Sequence, residues 1–524
     1  MPSSLSYPGV YIEEVPGGSR SIAGVATSVT AFIGRAPRGP THEPVLVGSY
    51  GEFERVFGGL WRASPLGYAV RAYFQNGGGQ AAIVRIYRKK DGEAERAAVR
   101  VQGLTLAAAS EGAWGTALRA RVDHEVAAEV AARLGVAADA LFNLTITDGA
   151  AVEVHRNLTL AESPRQIGRV LEAESTLVRF VAADAMNVAR PPAGADDVSV
   201  AEKSGDPAAL ATARAAAAAS DGAPLSAADF SPPGAAAGKR GLYALDKLDL
   251  FNLLSIPPHT FDGDVEPALW AEAAAYCEGR RAILLVDPPR AWTSAGAAQA
   301  GLAALGVRSK NAALYFPRLR QADPLASGQL IELAPAGAVA GVIARVDAER
   351  GLWKAPAGTD ATLVGVAQLA VGLTDRDVGL VNPLGVNCLR DLPAAGRVVW
   401  GARTCQGDDR LASEWKYLPV RRLALHLEES LYRGTQWVVF EPNDEPLWSQ
   451  IRLSVGAFLD GLFRQGAFQG RTPREAYFVK CGRDTTTPAD VDRGVVNIHV
   501  GFAPLRPAEF VVLRIQQISD AGTT

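Results

Sequence analysis

The chain has 524 residues, enough for roughly three to four domains with sizeable cores. Its 53 Lys and Arg stand against 56 Asp and Glu, a formal charge of −3, which argues against a basic nucleic-acid-binding protein. A hydrophobic content of 48%, with 53 glycines and 32 prolines, argues against disorder, and no run approaches the ~18 apolar residues of a membrane span.

Gly9-Val10-Tyr11-Ile12-Glu13-Glu14-Val15 has strand chemistry, bracketed by Pro8 and Pro16 and followed by Gly17-Gly18-Ser19. Proline at both ends suits an edge strand or an arm rather than a central strand. Ser28 to Gly34 reads as a buried strand. Ser49 to Phe57 reads as a capped helix closed by Gly58-Gly59, and Leu66 to Phe74 as a second helix stopped by Asn76-Gly77-Gly78-Gly79. Ala82 to Tyr87 is the next strand. Residues ~93–180 alternate apolar and polar, as in Leu118–Val122 and Phe142–Ile146, the pattern of half-exposed antiparallel strands. Residues 185–240 are rich in Ala, Pro, Gly and Asp and read as a linker or surface insertion with a short helix.

Short apolar runs then alternate with helical stretches: Leu253–Ile256, Ala282–Val286 and Ala312–Phe316, with a helix over Ala268–Glu278. The expectation is one α/β domain built from 26–92 and 241–400, interrupted by a β-rich insert over 93–184. Beyond Trp400, Val420, Leu423, Leu427 and Leu431 mark a helix face. Asn443-Asp444-Glu445-Pro446 supplies a helix start, and Leu447, Trp448, Ile451, Val455 and Leu459 its apolar stripe. Strands are expected at 476–481, 495–500 and 509–518. The last would need a partner for its edges.

Chemical motifs are sparse. Gly77-Gly78-Gly79-Gln80-Ala81-Ala82 matches a dinucleotide fingerprint in letters only: a helix precedes it and a strand follows, the reverse of what pyrophosphate binding needs. Gly234 to Lys239 is one residue short of a phosphate loop and lacks its Ser or Thr. The six histidines form no HExxH, and His426 with Glu428 and Glu429 lacks a second imidazole. Cys277, Cys388, Cys405 and Cys481 form no CxxC and no disulfide framework. Asp287-Pro288-Pro289 ends a strand where α/β folds place ligand groups, yet a turn serves equally. Asp375-Arg376-Asp377 and Asp408-Asp409 read as acidic loops. The reading is therefore no enzyme, with no catalytic, cofactor-binding or metal-binding residues.

Several strings resemble contractile tail sheath proteins. They are Tyr7-Pro8-Gly9-Val10-Tyr11-Ile12-Glu13-Glu14, Phe32-Ile33-Gly34-Arg35-Ala36-Pro37-Arg38-Gly39-Pro40, and Asp249 to Pro258. Asn382 to Asn387, Trp400-Gly401-Ala402-Arg403-Thr404, Phe440 to Glu445 and Pro507-Ala508-Glu509-Phe510-Val511 add to them. The resemblance spans nearly the whole chain except 185–240. It implies a multidomain α/β and α+β fold: a subtilisin-like α/β domain without catalytic duty, an inserted β-rich outer domain, and an α+β core domain over 401–507. Residues 1–25 and 508–524 would be extended arms.

The implied function is a structural homopolymer. Stacked rings, typically of six, surround an inner tube above a baseplate and below a terminal cap, in a phage tail, tailocin or extracellular injector. Synthesis in the bacterial cytoplasm is implied, with no nucleic acid or membrane insertion. Arms would link copies by adding strands to a neighbour's sheet; the donors are Val10, Tyr11, Ile12 and Val15 at one end and Phe510, Val511, Val512, Leu513 and Ile515 at the other. Residues 476–500 would hold the acceptor edges. From Trp415 to the end, 13 Lys and Arg face 12 Asp and Glu, so no strong field is visible. Arg421, Arg422, Arg464, Arg471 and Arg474 are the candidate contacts to an acidic tube. A non-contractile surface-array or adhesion protein, and an α/β hydrolase with an unrecognised triad, are the rival readings.

Overall fold

Short apolar runs between turn residues become the strands of one eight-stranded sheet in the computed structural model of the chain, which describes residues 21–183 and 190–512. Its order is Gly396–Trp400, Val386–Leu392, Ala312–Phe316, Ile283–Val286, Leu253–Ser255, Thr30–Gly34, Ala81–Arg85 and Val45–Val47. The six inner strands run parallel and the two outermost antiparallel to their neighbours. The sheet draws strands from both sides of the intervening 93–240.

Side chains alternate across a strand, so each run must satisfy two faces at once. Phe32, Ile83, Leu285 and Tyr315 face the helices Leu66–Gln75 and Ala336–Arg350. Ile33, Val84, Leu254 and Leu284 face Pro267–Gly279 and Ala295–Leu305. Burial on both faces explains why these runs read as continuous apolar stretches rather than alternating ones. The Gly396–Trp400 edge is not left open: Gly358 N donates to Val399 O at 2.9 Å, and Val399 N to Ala361 O at 2.9 Å.

Residues 93–183 build a separate core from antiparallel strands and the helix Ile167–Glu174. The alternation along Arg119–Asp123 and Phe142–Thr147 is that of strands with one buried face. An ionic knot joins this unit to the large sheet. The Arg85 guanidinium, 1% exposed, donates to Ala36 O, Gly39 O, Thr41 Oγ1 and both Glu111 O and Oε2. Burial opposes charge on Glu111, but hydrogen bonds from Thr41 and Arg96 outweigh it and hold the carboxyl down to about 2.

The stretch read as a linker or surface insertion with a short helix holds several helices. Residues 190–240 carry the helices Asp197–Ser204, Pro207–Ala217, Ala227–Phe230 and Ala235–Gly238, and Gly194–Ala195 pairs with Arg119–Asp123. Alanine is the best helix former, and Asp196 and Asp206 cap the first two helices by accepting from Ser199 N and Ala208 N. Composition alone signalled low complexity; the capping residues were the informative signal.

After Trp400 the chain forms a second framework. The helices Leu418–Gly434 and Glu445–Arg464 pack with the antiparallel pair Tyr477–Lys480 and His499–Phe502. Leu423, Leu427, Ile451, Val455 and Leu459 make the core between them. Asp444 caps the second helix by accepting from Leu447 N, and Pro446 sits in its first turn, where no backbone donor is needed. The strand expected at 495–500 begins only at His499: Val496 and Ile498 pack sideways into the core without pairing.

Candidate assembly surface

The residues of several sequence motifs with a chemical alternative have partners within the fold. Asn76 ends its helix and Gly77 follows at φ +104, with no strand before it to hold a nucleotide. Asp375 opens the helix Asp375–Val381, and Asp377 forms a capping box with Thr374. Asp287 is buried; its Oδ1 accepts from Ala336 N at 2.8 Å, and burial pushes the carboxyl up to about 7. Burial also pushes the Cys388 and Cys405 thiols up to about 12. Burial, with Arg422 nearby, holds His426 down to about 4. Among the described residues no group of His, Cys, Asp and Glu could hold a metal ion, and no helix is long and apolar enough to cross a membrane.

What the structure does build is an anchorage at each end of one helix. The N-terminal root lies along Leu418–Gly434. Val25 N donates to Ser430 Oγ at 3.1 Å, and Arg422 Nη2 donates to Thr27 O at 2.9 Å. Asn252 closes the root from the sheet side, donating to Ala26 O and accepting from Val29 N. Ile22 is buried against Gly434, where any Cβ would come within 2.5 Å of Ile22 Cγ2.

The C-terminal root is held beside the other end of that helix. Arg403 is fully buried just after the edge strand Gly396–Trp400. Its Nε and Nη2 grip Glu509 Oε1 and Oε2, each at 2.7 Å. Nη1 is occupied by Asn382 O, Gly407 O and Asp409 Oδ1. Tyr417, the residue preceding the helix, donates to Glu509 Oε2 at 3.2 Å, and Lys416 Nζ lies 3.7 Å from the same oxygen. Burial alone would lower the pKa of Arg403; the two carboxylates outweigh it and raise it.

Just past this grip Phe510, Val511 and Val512 stand 73%, 80% and 79% exposed and pair with no strand among the described residues. Val10, Tyr11, Ile12, Val15, Leu513 and Ile515 lie outside the described residues. Among the described residues the Tyr477–Lys480 and His499–Phe502 pair is a sheet of two strands, with Phe478 half exposed.

The five candidate arginines divide. Arg421 and Arg422 are buried and engaged within the chain. Arg421 donates to Asn311 Oδ1 and pairs with Glu428; Arg422 pairs with Asp347. Their guanidinium groups are internal ties, which corrects their reading as surface contacts. Arg464, Arg471 and Arg474 are exposed. Sequence reasoning missed Arg403, Lys416, Tyr417 and Glu509 as a group. Arg403 and Glu509 are 106 positions apart, and no local pattern joins them.

Two family models match consecutive parts of the chain: the phage tail sheath protein central domain over 234–405 and the phage tail sheath C-terminal domain over 412–518. A prophage major tail sheath protein of Pseudomonas aeruginosa strain UCBPP-PA14 is 27% identical over 301 residues, 55% of this chain and 72% of that protein. The tail sheath protein of Burkholderia phage BcepMu is 29% identical over 262 residues, 47% of this chain and 53% of that one. In a third relative, the tail sheath protein of Vibrio phage KVP40, the match spans 25% of that protein at 25% identity. Among solved structures, the helical sheath of the anti-feeding prophage in its contracted state has a similar fold, with a TM-score of 0.57 at 23% identity. That match covers 98% of this chain and all of the other. The sheath tail protein Lin1278 of Listeria innocua gives 0.59 at 13% identity, over 93% and 96% of the two chains. The chain belongs to the tail sheath family, the sheath subunits of contractile phage tails and injection systems.

Proposed function

We propose that copies of this chain polymerise as stacked rings around an inner tube, and that contraction of the polymer drives the tube through a target envelope. The observation that carries this reading is the run Phe510-Val511-Val512, exposed and unpaired directly after a buried anchor. An apolar strand former left in water at a fixed exit is suited to strand addition on a second copy. Donor and acceptor surfaces differ, so the contact is heterologous and propagates into rings or helices. Val10 to Val15 would serve the same purpose from the other end, and the edges around Tyr477–Lys480 would accept. Six-fold rings are favoured because a baseplate of the anti-feeding prophage, similar in fold, is six-fold symmetrised.

The α/β unit, subtilisin-like by resemblance, would act as a rigid body without catalysis. Inner tube, baseplate and terminal cap would be the partners of a particle assembled after synthesis in the bacterial cytoplasm. An extended polymer would be metastable. Burying about 200 Å² more apolar surface per copy on contraction would contribute roughly 5 kcal/mol, without nucleotide.

Negative-stain microscopy of the full chain beside a chain ending at Pro507 tests the reading. Hollow cylinders of one diameter are expected from the full chain and none from the shortened one. Cylinders from both would remove the tail as the link. Monomers from the full chain even with cognate tube and baseplate would remove the sheath function.

Arg464, Arg471 and Arg474 are the proposed tube contacts. Reversing all three to Glu is expected to abolish the extended sheath on the tube while leaving tube-free cylinders intact. Normal extended sheaths from that variant would overturn the assignment.

A further inference from the structure

The grip on Glu509 engages four side chains of the body, from Arg403, Lys416, Tyr417 and, through Arg403, Asp409. An arginine has five N–H donors in a fixed fork, and burying it demands that they be matched. Arg403 spends its whole Nε–Nη2 edge on one carboxylate in two parallel bonds, the geometry that adds orientation to strength. The other nitrogen is locked by two carbonyls and Asp409. The Arg403 backbone is locked as well: its N donates to Asn387 Oδ1 at 2.6 Å, and Asn387 Nδ2 donates back to Arg403 O at 2.8 Å. Asn387 lies in the strand Val386–Leu392, beside the outermost strand of the large sheet. Gly401 and Gly407 permit the close approach. A Cβ on Gly401 would meet Asn387 Cα at 2.9 Å, and one on Gly407 would meet Arg403 Cβ at 2.8 Å.

The approach to the socket is also fixed. After the strand His499–Phe502, Ala503 N donates to Ala476 O and its own carbonyl accepts from Gln469 N, each at 2.8 Å. Pro504 and Pro507 then limit the backbone. The segment therefore leaves the C-terminal framework and docks at the border of the large sheet. Phe510 follows at once, exposed.

We infer that Arg403, with Lys416 and Tyr417, is a socket for Glu509 that sets where and in which direction the tail leaves the subunit toward a second copy of this chain. Glu509 is thus a positioning residue for assembly, and pull on the tail passes through Arg403 and Asn387 into the large sheet. The two-stranded sheet, joined to the tail by the backbone of 503–508, then shares that load rather than bearing it alone. The inference rests on the reading of the tail as a link between copies. The pairing within one chain, rather than the strand addition itself, is what is assigned here.

The test uses the full chain with Glu509→Gln, Glu509→Asp and a chain ending at Glu509. Amide exchange over 503–512, thermal unfolding and cylinder formation are measured on each. In Glu509→Gln, exchange over 503–512 is expected to rise on the order of tenfold or more, because the paired charge is lost. Cylinders should become scarce or of mixed diameter in step with the exchange over 503–512, beyond whatever stability the body loses with the Arg403 counter-charge. Glu509→Asp keeps the charge one methylene short and should fall between. Wild-type exchange and uniform cylinders in Glu509→Gln would overturn the socket. So would an assembly defect that follows the unfolding midpoint instead of the exchange. If the chain ending at Glu509 assembles as the full chain does, the tail is not the link, and that reading fails whatever the exchange shows.

Discussion

Replacing Arg422 by alanine is expected to lower the unfolding free energy by about 3–5 kcal/mol. The Arg422 and Asp347 side chains are each 4% exposed, paired at 2.8 and 2.5 Å across two parallel bonds. Arg422 also donates to Thr27 O, so one guanidinium ties the helix Leu418–Gly434 to the helix Ala336–Arg350 and to the N-terminal root. Removing it leaves the Asp347 carboxylate buried without its counter-charge, and that stranded charge is the main cost. Removing both partners takes the stranded charge away. The double variant Arg422→Ala with Asp347→Ala should therefore lose less than the sum of the two single losses. Denaturant unfolding of the four proteins checks this. Wild-type stability in Arg422→Ala, or strict additivity, would overturn the argument. The result also separates an internal tie from a tube contact, since a surface arginine would change stability by only a few tenths of a kcal/mol.

Replacing Gly341 by leucine is expected to cost at least about 1–3 kcal/mol, because a closely packed interface cannot absorb the volume. The helices Leu66–Gln75 and Ala336–Arg350 touch backbone to backbone through two glycines one turn apart. A Cβ on Gly341 would lie 2.3 Å from Tyr73 O, and one on Gly337 would lie 2.5 Å from Ala69 O. Neither contact can be relieved by turning a side chain; the helices must separate and lift off the sheet. Gly456, inside Glu445–Arg464, has open space where its Cβ would be. There the same kind of change has the opposite sign: Gly456→Ala should gain roughly 0.5–1 kcal/mol from helix propensity alone. Urea midpoints of Gly341→Leu, Gly341→Ala and Gly456→Ala make the comparison. A stabilised Gly341→Ala would show that the helices are looser than their geometry implies.

Some elements were legible because their information is local. Ser49 stands before an amphipathic octet with Gly58 behind it, and the helix Tyr50–Phe57 has that cap and that stop. Asp444 and Pro446 announce the start of Glu445–Arg464 in the same way. Buried parallel strands are short, wholly apolar and punctuated, so Ala312–Phe316 is readable from its own five residues. Where local signals compete, tertiary contacts decide the outcome. The composition of 185–240 suits a linker or surface insertion with a short helix, and Asp196, Asp206 and Ser226 start three helices within it. Val496 and Ile498 carry strand chemistry, yet core packing claims their side chains before any ladder forms.

The roles of the arginines were not legible. Arg421 and Arg422 look like a basic pair on a helix, and Arg464 looks no different. Only the fold places Asp347 and Asn311 against the first two and leaves the third, with Asp460, at the surface. By itself the sequence determined the α/β alternation, the helix ends, the lack of a local catalytic motif and the likeness to sheath proteins, all properties carried by neighbouring residues or by long ordered strings. The tertiary structure alone decided which charges pair, and that Arg403 and Glu509, 106 positions apart, form one socket. An ion pair depends on distance and burial in space, and neither is written in the spacing of residues along the chain.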